Sequence, residues 1–163
     1  MEDRKILKNT GMIINGNFAD SSDISLEEES VFWKSGQIGL NYIKSVNVDR
    51  LLAPSFEVHN LPAPNNARRY GGWERKGANN WTSSDDTFTL AGHSLGHWMS
   101  AAAIFYRATG DTEILEKLNY AVDRLDYLQK STGSAYIGGC REDCFIKLFE
   151  GNIESWADGY WVP

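Results

Sequence analysis

At 163 residues, 42% of them apolar and 23% charged, the chain is long enough for one domain with a real core and too short for two ordinary ones. A net charge of -6 with scattered basic residues argues against nucleic acid as a partner, since that binding leans on clustered Lys and Arg. No apolar run approaches the roughly 18–20 residues of a membrane span, and the only cysteines, Cys140 and Cys144, are too few for a disulfide-built secreted domain.

In chain order, residues 1–30 alternate short apolar pieces with Asn, Asp, Ser and Gly and read as an irregular segment with one short strand at most. The charged start, Met1 to Lys8, has no apolar stretch behind it, so no signal peptide is seen and a cytoplasmic location is the default expectation. The run Glu27-Glu28-Glu29 suits either a helix first turn, where carboxylates meet the positive dipole end, or a solvated charge run. From Val31 to Val46 the apolar spacing predicts a helix despite Gly36 and Gly39, each costing about 1 kcal/mol. Pro54 is expected to stop any helix before it. A long irregular loop is then predicted to about Phe88, and its aromatics (Phe56, Tyr70, Trp73, Trp81) argue that it is packed down and functional.

Leu95, Trp98, Met99, Ala102, Phe105 and Tyr106 recur at helical spacing and predict a central helix, capped near Thr89 or an earlier Asp and ended by Gly110. Asp111 or Thr112 can cap the next helix, whose stripe is Ile114, Leu115, Leu118, Ala121, Val122, Leu125 and Leu128 and which stops near Gly133. So short a connection makes the two antiparallel neighbours. Residues 134–139 read as a turn, Phe145 to Phe149 as a short helical stretch, and the apolar ending Trp156 to Pro163 as a chain that stops in the middle of something larger.

The chemistry concentrates at His93 and His97, four residues apart and so on one helical face. A neutral imidazole offers one donor and one acceptor, which suits a sugar hydroxyl. The six Trp and seven Tyr fit the same use, although most such rings are core in any protein. Two other readings stand beside it: histidines bonded to neighbouring backbone, and a zinc site completed by Cys140 and Cys144, whose spacing is looser than the usual Cys-x2-Cys. Gly92 and Gly96 imply that something approaches the helix backbone closely. Glu74 is the best single carboxylate for acid–base work on a glycoside, but no pair is identifiable. Phosphate loops, nucleophile elbows and dinucleotide fingerprints are missing from the sequence.

Tyr42, Asp49-Arg50-Leu51-Leu52-Ala53-Pro54, Leu61-Pro62, Tyr70-Gly71-Gly72-Trp73-Glu74, Leu90-Ala91-Gly92-His93 with Leu95-Gly96-His97, Ser100-Ala101, Ala108-Thr109-Gly110-Asp111 and Gln129 together resemble the N-terminal part of the beta-L-arabinofuranosidases of glycoside hydrolase family 127 and its relative, family 146. The resemblance covers about residues 37–163; Trp98 stands where the family more often has Tyr, and Ser55-Phe56 where it more often has Phe-Arg. It implies an all-α chain, the opening helices of an incomplete (α/α)6 barrel with a long aromatic loop, in which 31–163 form the N-terminal portion of the hydrolase domain. The candidate sugar contacts are His93, His97, Tyr70, Trp73 and Glu74, and the resemblance implies L-arabinofuranosides as the partner. The family hydrolyses with retention through a cysteine nucleophile at a zinc site of Cys and Glu ligands. Those ligands match nothing in this chain, so no catalytic residue, metal ligand or cofactor is assigned to it, and it is expected to be inactive alone. The alternatives are a small carbohydrate-binding or accessory protein without catalysis, and a zinc-stabilised helical module.

Overall fold

The computed structural model describes residues 25–74, 91–142 and 149–150. The expected N-terminal segment to residue 24, Trp81, Phe88, the Thr89 cap, Cys144, the stretch 145–148 and the aromatic ending all lie outside the described residues, as does the side chain of Trp73. Four helices carry the described residues, with no strand among them: α1 (Val31–Ser45), α2 (Val48–Val58), α3 (His93–Thr109) and α4 (Thr112–Thr132), with single 3-10 turns at Pro64–Asn66 and Gly72–Glu74. None of the described helices is long and apolar enough to cross a membrane.

α1 starts at Ser30, whose hydroxyl accepts from the Trp33 N–H at 3.1 Å. The acidic run therefore precedes the helix rather than forming its first turn, and it stays exposed. Gly39 has a packing reason: a Cβ there would sit 2.8 Å from Cζ of Phe105, so its absence lets that ring of α3 close onto α1.

Pro54 does not end a helix; it lies inside α2, and the irregular loop begins later than expected. A proline in a helix interior costs about 3 kcal/mol. Every residue from Leu51 to Phe56 is buried, however, and burying Leu51, Leu52 and Phe56 at roughly 1.5–3 kcal/mol each outweighs that cost. Tertiary burial overrides local propensity here. Asn47 caps the same helix by accepting from the Arg50 N–H at 3.2 Å.

α3 and α4 form the hairpin the spacing predicts, although α3 begins at His93 behind Gly92 and not at the expected Thr89 or Asp cap. Gly110 closes α3 in the left-handed conformation (φ 68°), and the Asp111 carboxylate accepts from Glu113 and Ile114 N–H at 3.0 and 3.3 Å to open α4. Gly133 ends α4 in the same way (φ 69°). Ile114, Ala121, Leu125 and Leu128 are buried as expected, whereas Val122 is 52% exposed, because a step of one residue turns about 100° away from the stripe. α2 packs across both helices of the hairpin, and α1 contacts both as well. Leu52, Ile114 and Leu128 are fully buried where these helices meet.

The end of α1 is tied to the start of α4 by polar contacts. Lys44 Nζ lies 2.9 Å from Asp111 and 2.8 Å from Glu113, which holds the ammonium pKa above its ordinary value through hydrogen bonds to Glu113 and then Asp111. Lys117 donates to the Lys44 and Val46 carbonyls, satisfying acceptors that a helix end leaves open. Tyr120 donates to Asp49 Oδ1 at 2.6 Å, and burial first, then this bond, pushes the phenol up to about 12. A raised folded-state pKa means that the Tyr120 contribution is intact below pH 10.0 and is lost as pH rises towards 12. Melting curves from pH 9 to pH 12 should show the wild type losing its stability advantage over Tyr120→Phe across that window; parallel curves would refute the assignment.

Candidate functional site

A cleft of about 720 Å³ opens between the last turn of α1, the Tyr70–Glu74 turn and the first turns of α3. Tyr42, Ile43, Ser45 and Val46 line one side; Tyr70, Gly71, Gly72 and Glu74 line another; Ser94, His97, Trp98 and Ala101 line the third, with Leu51 of α2. Trp98 is itself buried and donates Nε1–H to the Ile43 carbonyl at 3.1 Å, locking α3 to the last turn of α1.

His93 and His97 do share a face. Their Nε2 atoms are 3.0 Å apart and their rings meet edge-on, with centroids at 4.3 Å and planes at 78°. A contact between two nitrogens at this distance needs one N–H and one bare lone pair, so the two rings hold opposite roles at Nε2. His97 is exposed and lines the cleft, while His93 is half-buried and reaches it through its partner.

Tyr70 presents its ring to the cleft, and its hydroxyl accepts from the Asn47 N–H at 3.0 Å. The Arg50 guanidinium lies 4.1 Å above that ring and donates from Nε to the Arg68 carbonyl at 3.0 Å. Arg69 in turn pairs with Glu57 at 2.9 and 2.5 Å. The turn is thus clamped onto α2 by two arginines. Spacing alone did not single out this clamp, nor Tyr42 and Ser94 as lining groups; the arginines act on segments distant in sequence, so no local pattern marks them.

Glu74 is 3% exposed, and its two oxygens accept from the N–H groups of Gly92 (2.6 Å) and Ser94 (2.8 Å). The close approach expected at Gly92 is real, and it comes from this chain: a Cβ there would meet the Gly139 backbone at 2.8 Å. Cys140, next to that crossing, is fully buried, and its Sγ lies 3.0 Å from the Tyr136 hydroxyl. Among the described residues no three of His, Cys, Asp and Glu gather as a metal site would require. The described residues therefore do not fit the zinc centre that the resemblance implies.

The model of the "Beta-L-arabinofuranosidase, GH127 catalytic domain" family matches residues 23–162. The chain belongs to this beta-L-arabinofuranosidase family. The match begins earlier than the resemblance noted from residue 37, and it takes in all four helices and every residue of the cleft. No curated protein matches the chain. The GH127 assignment identifies a glycoside hydrolase lineage whose members act on carbohydrate, in keeping with an all-helical set of described elements.

Proposed function

We propose that this chain supplies one part of the sugar-binding cleft of a beta-L-arabinofuranosidase-like hydrolase, holding an L-arabinofuranoside through His93 and His97 without itself furnishing the groups that break the glycosidic bond. The carrying observation is that His97 opens onto a cleft of about 720 Å³ whose facing wall is the Tyr70–Gly72 turn. That volume falls within the roughly 300–1,000 Å³ of small-ligand sites, which combine apolar walls with a few placed polar groups.

The imidazole pair has the right chemistry for a hydroxyl. A sugar O–H can donate to the bare Nε2 of one ring and accept from the N–H of the other, replacing their mutual bond with two new ones. Tyr70 adds an aromatic wall held rigid by Arg50, a face on which a furanose can lie. The exposed apolar residues of α1 away from the cleft, Phe32 (74%) and Ile38 (72%), are the ones that further helices of an (α/α)6 barrel would cover.

Purified chain of residues 1–163 is expected to give no turnover of an aryl L-arabinofuranoside, while the free sugar moves the NMR signals of Ser94 and the His97 ring. Chelator-sensitive turnover by the chain would overturn the division of labour; an unchanged His97 signal at saturating sugar would overturn the binding site.

A further inference from the structure

The helix that carries the imidazole pair starts without a cap of its own. Gly92 stands at the N-cap position with φ 87° and offers no side chain. Ser, Thr, Asp and Asn, which usually fill that position, all bring a Cβ. At Gly92 a Cβ would lie 2.8 Å from both the Cα and the N of Gly139, and one at Gly139 would lie 2.5 Å from the Ala91 carbonyl oxygen. Both sets of opposing atoms are backbone and cannot swing aside. The crossing of the two glycines therefore forbids a local cap.

The open N–H groups are met from elsewhere. Glu74, 18 residues upstream, takes the Gly92 N–H at 2.6 Å and the Ser94 N–H at 2.8 Å, one on each oxygen. These two amides flank His93. A carboxylate at a helix N-terminus also meets the positive end of the dipole, and among the described residues no Lys, Arg or His pairs with it. Its turn, Gly72–Glu74, continues the wall made by Tyr70 and Gly71, so the same contact joins two sides of the cleft.

We infer that Glu74 is a positioning residue for the imidazole pair: a cap supplied from across the cleft that sets the first turn of α3, and with it the direction of His93 and His97. Each of its oxygens accepts a backbone N–H of the first turn of α3, and that pair of bonds is what gives it the positioning role. The functional consequence rests on the sugar-binding reading above; the positioning itself does not.

The test uses the uniformly isotope-labelled 163-residue chain without sugar. Glu74→Gln keeps the shape but turns an NH2 group towards one of the two N–H donors. The exchange rates of the Gly92 and Ser94 amides should rise about ten- to a hundredfold, as for loss of a hydrogen bond to a charged group. The ring signals of His93 and His97 should move while that of His59, on the far end of α2, stays in place. Glu74→Asp, which keeps the charge but shortens the reach, should move the same two signals. Ring signals left at their native positions in the folded fraction, even with a lowered Tm, would reduce Glu74 to a purely structural role and overturn the inference. Collapse of both variants would do the same. Failure of the sugar reading itself shows differently, as no response of any residue to sugar with the histidine shifts intact.

Discussion

Gly139→Ala should destabilise the chain by about 1–3 kcal/mol, the range for forcing a methyl group into packed structure, and should loosen the start of α3 selectively. The new Cβ would meet Ala91 O at 2.5 Å, Gly92 Cα at 2.7 Å and Ala91 C at 2.8 Å, all backbone atoms. Relief requires the two segments to part, which moves Gly92 and Ser94 away from the Glu74 carboxylate. Gly110→Ala is the control. It also adds a methyl group, but at a left-handed position (φ 68°) with nothing within 4 Å, so its cost is only that of the conformation, about 1–2 kcal/mol. Chemical denaturation of both variants gives the comparison, and amide exchange locates it. Raised exchange confined to residues 91–97 is expected for Gly139→Ala. An equal and evenly spread loss in both variants would mean that the crossing is not a specific constraint.

His97→Ala should weaken L-arabinofuranoside binding about two- to tenfold, the loss expected when a hydrogen bond worth roughly 0.5–1.5 kcal/mol disappears from an open cleft. Stability should barely change, because His97 is exposed and Ala is the better helix former. His93→Ala should weaken binding to a similar degree by removing the partner that orients the His97 ring at 3.0 Å. Since it is half-buried, some loss of Tm should accompany it. Sugar affinity and Tm measured on the same preparations separate the cases. A stability loss above about 2 kcal/mol with unchanged affinity would identify the pair as a broken structural network rather than a binding device.

Much of the helical skeleton is legible in the sequence. The hairpin of α3 and α4 follows from the apolar stripe at Ile114, Ala121, Leu125 and Leu128 and from the punctuation by Gly110, Asp111 and Gly133, each of which acts on its immediate neighbours. The i, i+4 meeting of His93 and His97 follows from helical periodicity in the same way. α2 was not legible. Pro54 signals termination within its own turn, and only the burial of Leu51 to Phe56 against other helices reverses that signal.

Around the histidines, local pattern was enough to show a helix, its apolar face and, through Tyr-Gly-Gly-Trp-Glu and the paired histidines, the hydrolase family. The signals there are local: a stripe, a cap, a motif read over a few residues. Only the packing of distant segments shows what the Glu74 carboxylate meets. In sequence it is a carboxylate in a glycine-rich aromatic turn, an apparent candidate for proton transfer. In space its oxygens are taken by Gly92 and Ser94, because the approach of Gly139 leaves no room for a cap beside the helix it serves. The close approach of residues 92 and 139 and the bonds from residue 74 join segments far apart in sequence, and no reading confined to neighbours along the chain contains that information.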